Sequence, residues 1–383
     1  MPTPTESISA FAVAAPGLAS LVADELREIG ADVTEVHDAG VAFTTDPAGL
    51  YHANLHARIA SRVIVRAASF QAAHFSDLEK RSRAIPWNRW IPRGGSVSVR
   101  ATSRKSRLYH TGGVAQRVHE AIARSIDGVT LAEGSDEEEE SGAQLVVVRI
   151  DRDACTISID SSGDLLHRRG YRQAVAKAPL RETIAAAMLR ASGWVPSISL
   201  LDPCCGSGTI PIEAAMIARR IPPGRNRRFA FETWPTFMAA QWKRVRAEGN
   251  EQVLPRAGVA IVGADRDAGA IEASRANAER AGVAGDVVFE QRPLSRSVPP
   301  APGPGLLLTN PPYGERIGES ADLRSLYATF GKLAVGAMSG WRVALLASDP
   351  ALVGQTRLGL SPVLETSNGG IRVALFGSIP SIP

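Results

Sequence analysis

From Ser197 onward, short apolar runs alternate with amphipathic stretches, and this alternation constrains the fold more than any other feature of the 383-residue chain. Ser197–Leu201, Val259–Ala264, Val287–Glu290, Gly305–Thr309, Arg342–Ala347, the region near Val363 and Ile371–Phe376 read as strands. Thr209–Ala218, Ala268–Ala281 and Leu323–Ala337 carry apolar residues at helical spacing. Strands separated by helices pair in parallel through crossovers, which predicts an α/β, doubly wound sheet. Asn368-Gly369 between the last two runs is a hairpin signal. The seven strands therefore end in an antiparallel one.

Two strand ends in this region carry residues suited to chemistry. Asp202-Pro203-Cys204-Cys205-Gly206-Ser207-Gly208-Thr209 follows an apolar strand and opens an apolar helix. Gly206 and Gly208 let a ligand approach the backbone at a helix N-terminus. There is no GK[ST], and Pro211 stands where a third dinucleotide-motif glycine would be. A tight strand–helix turn is the plainer alternative. Asp265 ends the next strand, where a carboxylate can accept the ribose hydroxyls of a nucleoside; it can equally cap the following helix, a role open to Asp267 as well. Residues 219–257 separate these two features.

Asn310-Pro311-Pro312-Tyr313 follows the run Leu306-Leu307-Leu308. Two prolines hold the backbone extended and remove two N–H donors, so acceptors dominate. The Asn310 side-chain oxygen and the Pro311 carbonyl suit the exocyclic amine of a base, and Tyr313 suits its face. A proline turn with a capping Asn is the alternative.

The formal net charge of +4 conceals an uneven distribution. Ten basic residues and no acid lie between Lys80 and Arg117, interleaved with Trp87, Trp90 and Tyr109. A second tract runs from Arg168 through Arg169, Arg172 and Lys177 to Arg181. A third, Arg219 to Arg228, is followed by Phe229, Phe231 and Trp234. Basic residues among aromatics suit a polyanion with stackable bases, and solvated surface is the alternative. Glu133–Glu140 holds six acids among Gly and Ser and reads as a solvated loop.

The N-terminal half reads as α+β. A strand at 8–13 precedes an amphipathic helix ending near Ile29, with Leu18, Leu21, Val22, Glu25 and Leu26 at helical spacing. Strands at Val33–Val36 and Val41–Thr44, a helix near Leu50–Ala60 and a strand at Arg62–Ala67 complete a ferredoxin-like unit. Strand Ser96–Ala101, helix Gly113–Ile126 and strands Leu145–Ile150 and Ala154–Asp160 form a second, followed by the helix Arg181–Ser192.

With 44% hydrophobic and 21% charged residues, the chain is of globular composition. No apolar run reaches membrane-spanning length, and Met1–Phe11 does not resemble a secretory signal. The cysteines Cys155, Cys204 and Cys205 are odd in number with two adjacent, which argues against a disulfide framework and for a reducing cytoplasm. Cys204 and Cys205 read as small buried fillers. His52 and His56 share a helical face but lack a third ligand, so no metal site is expected. No feature fixes an oligomeric state.

DPCCGSGT and NPPY together resemble the cofactor loop and catalytic motif of amino-directed class I S-adenosylmethionine-dependent methyltransferases. Arg169-Gly170-Tyr171-Arg172, Ala178-Pro179-Leu180-Arg181-Glu182-Thr183, Ser192-Gly193-Trp194, Tyr313-Gly314-Glu315-Arg316-Ile317-Gly318 and Asn368-Gly369-Gly370-Ile371 are similar to the bacterial 23S ribosomal RNA guanine-N2 methyltransferase family. The N-terminal half resembles that family's ferredoxin-like and THUMP RNA-binding modules, including Tyr109-His110-Thr111-Gly112-Gly113. The resemblance covers nearly the whole chain. It implies a ferredoxin-like domain over 1–67, a THUMP domain over 68–165, a basic linker and helix over 166–190 and a Rossmann-like methyltransferase domain over 191–383.

The resemblance implies S-adenosyl-L-methionine held by Asp202, Cys204, Gly206, Ser207, Gly208, Thr209, Asp265, Arg266 and Asn310. It implies catalysis by Asn310, Pro311, Pro312 and Tyr313. RNA contacts are expected from Arg100, Arg104, Lys105, Arg107, Tyr109, Arg169 and Arg172, with ribosomal RNA ahead of transfer RNA. NPPY also occurs in adenine-N6 enzymes, so the motif alone leaves the base open. An RNA-binding protein with a decayed cofactor site is a third reading. One departure from the family is visible: Phe289-Glu290-Gln291-Arg292-Pro293-Leu294 lacks the usual adenine-contacting Asp, with Pro293 near its place. Either a backbone group reads the adenine, or the cofactor is held less tightly.

Overall fold

A computed structural model describes residues 7–132, 142–173, 180–312 and 320–378. They fall into two compact units. The first holds the described residues up to Ala14, Val22–Leu166 and Arg227–Ala247. The second holds Ala15–Leu21, His167–Asn226 and the described residues from Glu248 onward.

In the first unit the elements run β1 (Ile8–Val13), α1 (Ala19–Glu28), β2 (Asp32–His37), β3 (Gly40–Thr45), α2 (Pro47–His56) and β4 (Arg62–Gln71). They continue as α3 (Phe75–Arg83), β5 (Ser96–Arg104), α4 (Thr111–Ser125), β6 (Thr130–Leu131), β7 (Gln144–Asp151) and β8 (Ala154–Asp160). The strands form one sheet in the order β2-β3-β1-β4-β8-β7-β5-β6. The division expected at 67/68 falls inside β4, which pairs with β8 from Ile64↔Asp160 to Gln71↔Ala154. The ferredoxin-like and THUMP segments thus share a single sheet.

Local chemistry explains the element boundaries. Asp46 accepts a 2.7 Å hydrogen bond from the Gly49 amide and Pro47 occupies the first helical position, so α2 starts earlier than apolar periodicity indicates. Glu25, on the apolar side of α1, is buried because its carboxylate accepts from the Arg58 amide at 2.8 Å and the Ile59 amide at 3.1 Å. α3 has no counterpart in the sequence reading: Leu78 is its one buried apolar side chain, too few to mark a helical period.

The second unit contains α5 (Glu182–Ala191), β9 (Ser199–Asp202), α6 (Thr209–Ala218), part of α7 (Ala239–Glu251), β10 (Ile261–Asp265), α8 (Ala268–Ala281) and β11 (Val288–Gln291). These lead to β12 (Gly305–Thr309), α9 (Ser320–Val335), β13 (Arg342–Ala347), α10 (Pro350–Gly354), β14 (Ser361–Asn368) and β15 (Ile371–Gly377). The sheet order is β11-β10-β9-β12-β13-β15-β14. β11 to β13 are parallel, and β15 inserts antiparallel between β13 and β14.

Adjacent residues in this sheet join different cores. Leu200, Ile261, Leu306 and Leu308 belong to one, Leu201, Val262 and Leu307 to the other. Both faces are covered, which is why these strands read as continuous apolar runs.

Arg227–Ala247, carried by the long insertion between α6 and β10, belongs to the first unit. Its aromatic side chains surround Tyr51, with ring centroids 4.5 Å apart for Tyr51 and Phe231 and 5.1 Å for Phe231 and Trp242. Arg227 donates to the carbonyls of Leu165 and Ser162 and lies over the Phe229 ring. Phe229, Phe231 and Trp234 are all buried. The third tract therefore does not present its aromatics to a nucleic acid; burial stabilises the first unit instead.

Candidate active site

The carboxyl ends of β10, β9 and β12 lie side by side, and the chain order reverses between β9 and β12. Open α/β sheets bind ligands at such a switch point. Asp202, Asp265 and Asn310 stand at these three ends, as the sequence indicates.

Asp202 is buried. Its Oδ1 accepts from Thr309 Oγ1 at 2.6 Å and from the Cys204 amide at 3.2 Å. Burial pushes this carboxyl up to about 7, with the nearby Asp265 charge acting in the same direction. Asp265 Oδ2 accepts from the Gly206 amide at 3.0 Å, and its Oδ1 from the Asp267 amide at 3.0 Å. Asp267 caps α8 by accepting from the Ala270 amide at 2.9 Å. The capping role open to both acids belongs to Asp267, and Asp265 is tied to the glycine loop.

That loop is held from outside as well as within. Ser274 Oγ donates to the Gly206 carbonyl at 2.7 Å, and Asn277 Nδ2 to the Ser207 carbonyl at 3.0 Å. The Cys205 amide donates to the Ala264 carbonyl at 2.9 Å. The two glycines differ. Gly208, at φ +83°, lies against Phe289, and an added Cβ would come within 3.0 Å of that ring. Gly206, at φ +53°, faces open space. Both take the left-handed conformation that favours glycine; Gly206 leaves open space beside the backbone, and Gly208 packs against Phe289. The Gly206 amide is already spent on Asp265, so the expected cradle of free loop amides is reduced. Burial raises both the Cys204 and Cys205 thiols, which stay protonated and un-nucleophilic.

Asn310 follows β12. Its Oδ1 is buried and has no hydrogen-bond partner among the described residues. A buried amide oxygen without a donor costs about 1–3 kcal/mol. Pro311 is buried beside it. Tyr313 lies outside the described residues, as do Gly314–Gly318 and Lys177–Pro179. Arg266 is exposed at the end of β10. Pro293 is exposed at the start of a turn that holds no acid from Arg292 to Arg296.

The expected RNA contacts divide sharply. Arg104, Lys105, Arg107 and Tyr109 are exposed, Tyr109 at 81%. Arg100 is half-buried. Asp153 fixes their loop by accepting from Ser106 Oγ at 2.7 Å and the Arg107 amide at 2.9 Å. Trp87 and Trp90 are buried and offer no stacking face. The second tract departs from expectation. Arg169 is buried with its Nε 3.5 Å from Glu213 Oε1, and Tyr171 donates to the same oxygen at 3.1 Å. Arg172 Nε lies 3.3 Å from Glu182, mostly shielded from solvent. Arg169 cannot reach a polyanion, and Arg172 is committed to a carboxylate; both are held by acids from α6 and α5. Thr309, Ser274, Asn277 and Glu213 were not identified from sequence. Thr309, directly before Asn310, carried the nearest signal.

A profile described as RMKL-like, methyltransferase domain matches residues 169–370. An RlmL ferredoxin-like domain matches 9–64, and a THUMP domain matches 72–160. "Ribosomal RNA large subunit methyltransferase K/L" of Syntrophotalea carbinolica is 38% identical over 96% of this chain, which spans 53% of that protein. "Putative RNA methyltransferase slr0064" of Synechocystis is 32% identical over 96% of this chain and 95% of its own length. The solved structure of SMU.472, titled "a putative methyltransferase complexed with SAH", is 31% identical, with a TM-score of 0.85 over 97% of this chain and 98% of its own.

Proposed function

The chain belongs to the RMKL-like methyltransferase family, and on that premise we propose that it transfers a methyl group from S-adenosyl-L-methionine to the exocyclic N2 of a guanine in RNA, with 23S ribosomal RNA as the substrate. The observation that carries the reading is the buried Oδ1 of Asn310 at the switch point, which has no hydrogen-bond partner among the described residues. An exocyclic amine is the donor this acceptor lacks. Accepting that hydrogen bond fixes the orientation of the amine for attack on an electrophile.

The residues present fit the cofactor. Asp202, with its carboxyl raised by burial, gains from a cationic amine placed against it. Gly206 leaves open space for a ligand, and Asp265 stands at the adjoining strand end. When bound, the cofactor supplies an electrophilic methyl group on a sulfonium. The chain's own contribution is positional: Asn310 orients the amine and Pro311 holds the backbone extended, while Thr309 and Asp202 tie the two strand ends together. Such positioning lowers a bimolecular barrier without a general base. Once methylated, the cationic nitrogen releases its proton to solvent.

The exposed Arg104, Lys105, Arg107 and Tyr109, on the segment matched by the THUMP profile, support RNA as the substrate. The deciding experiment is nucleoside analysis of RNA incubated with the protein and labelled cofactor. N2-methylguanosine is expected. N6-methyladenosine would refute the base assignment, and methylated transfer RNA with unlabelled ribosomal RNA would refute the substrate.

A further inference from the structure

One face of the eight-stranded sheet joins Arg100 and Arg104 to basic residues with no part in the chemistry above. In β7, Val146, Val148 and Ile150 are buried, so Val147 and Arg149 point to the opposite face. Register extends that face across neighbouring strands. Arg100 pairs with Val147 and Thr102 with Arg149 on β5, with Arg104 one step further along. On β8, Thr156 pairs with Arg149 and Ser158 with Val147. Ser158 in turn pairs with Arg66 on β4. Arg66, Arg149, Arg100 and Arg104 therefore share one side of the sheet, with hydroxyl side chains between them.

Three of these arginines are uncommitted. Among the described residues, no side-chain hydrogen bond or ion pair holds Arg66, Arg104 or Arg149. Arg104 and Arg149 are exposed, and the Arg66 guanidinium lies 4.9 Å above the Phe11 ring. Arg66 is half-buried; burial lowers its pKa, the Glu35 carboxylate opposes that shift, and Arg149 lowers it further. Of the nearby acids, Glu35 also lies 3.1 Å from His37, and Asp151 3.6 Å from Arg152. The three arginines stand on β4, β7 and β5, with β8 between the first two, so neighbouring charges are one to two strand spacings apart at about 4.8 Å per strand. Like charges left together favour an anion that spans them.

We propose that this sheet face is a phosphate track, seating the sugar–phosphate backbone of the RNA strand on Arg66, Arg149 and Arg104. It rests on the reading that RNA is the substrate, and extends the Arg104–Tyr109 segment across the sheet to Arg149 and Arg66. Its chemistry selects backbone over bases. Phe11 is buried beneath Arg66, so the face offers no free ring on which a base can stack. Guanidinium groups with hydroxyls between them match phosphate oxygens, and such contacts carry no sequence information.

The test is fluorescence anisotropy of a labelled polyuridylate oligonucleotide across a series of salt concentrations, with S-adenosylhomocysteine calorimetry as the folding control. Each phosphate contact contributes about 0.7 to the log–log salt slope for a single strand. Arg66→Gln/Arg149→Gln is expected to lower that slope by about 1.4 and to leave cofactor binding unchanged. Arg66→Lys/Arg149→Lys is expected to restore the slope. An unchanged slope in the Gln pair, with cofactor binding retained, overturns the track while the methyltransferase reading stands. Wild-type protein that binds the cofactor but no RNA overturns both. A Gln pair that loses cofactor binding as well is judged on Arg149→Gln alone, at an exposed position, where the same absence of a slope change overturns the track.

Discussion

Thr309 Oγ1 lies 2.6 Å from Asp202 Oδ1, and this hydrogen bond joins the end of β12 to the end of β9. Both side chains are buried. The pair couples the strand that leads into Asn310 to the strand that opens the Asp202–Thr209 loop. Hydrogen bonds to a charged group contribute about 1.5–3 kcal/mol. Thr309→Val is expected to weaken S-adenosylhomocysteine binding by at least tenfold, and Thr309→Ser to retain most of it. Calorimetry on both variants checks this, and equal affinity in the Val variant would show the bond to be incidental.

Asp202 makes binding and stability depend on pH in opposite senses. Its folded pKa, about 7, is above the ordinary carboxylate value. The protonated form is favoured by folding, so this stability is fully present below the unfolded pKa near 4 and is lost as pH rises to about 7. A cationic ligand needs the ionised form. Cofactor affinity is expected to fall about tenfold per pH unit below pH 7. Asp202→Asn is expected to abolish that slope, to bind cofactor poorly, and to melt at a higher temperature than the wild-type apoprotein at pH 8.

Asn310→Ala removes the amide oxygen while leaving Asp202, Gly206 and Asp265 in place. Loss of one oriented contact in a positioned reaction is expected to lower turnover by about 100-fold or more. Cofactor affinity should change little. A tritiated-methyl assay on unmodified RNA, run beside calorimetry, separates the two. Unchanged turnover would remove Asn310 from the mechanism.

Arg169 and Tyr109 should behave oppositely. Arg169→Ala strands the buried Glu213 carboxylate, and breaking such a pair costs about 3–5 kcal/mol of stability. Chemical denaturation should show that loss. Tyr109→Ala, at an 81% exposed side chain, should leave the denaturation midpoint unchanged. It should weaken RNA binding by about 1–3 kcal/mol if the ring stacks on a base. A stable Arg169→Ala protein with weakened RNA binding would reverse the assignment.

Much of the second unit was legible. Thr209–Ala218, Ala268–Ala281, Gly305–Thr309 and Arg342–Ala347 run in the structure as their patterns indicate, because both faces of that sheet are covered and the apolar signal is continuous. α3 and α7 were not. α3 buries a single apolar side chain, and α7 has two large buried anchors, Trp242 and Val245, within one turn of its 13 residues. Short helices anchored by so few residues carry little periodic signal.

The basic tracts were the least legible feature. Composition cannot tell an arginine that meets solvent from one that meets a carboxylate. Arg104 and Arg169 look alike along the chain, yet one is exposed on a strand and the other buried against Glu213, a residue 44 positions away.

Local order along the chain determined the alternation of strands and helices, the left-handed glycine turn after Asp202 and the proline-held acceptors after Thr309. Each depends on neighbours a few residues apart, so the backbone's own sterics and hydrogen bonding suffice. Tertiary structure alone decided which charges are free, that residues 227–247 join the N-terminal unit, and that Thr309 meets Asp202. Those outcomes depend on side chains brought together by the fold, 44 positions apart for Arg169 and Glu213 and 107 for Thr309 and Asp202, where burial and pairing set the energy and sequence spacing carries no information.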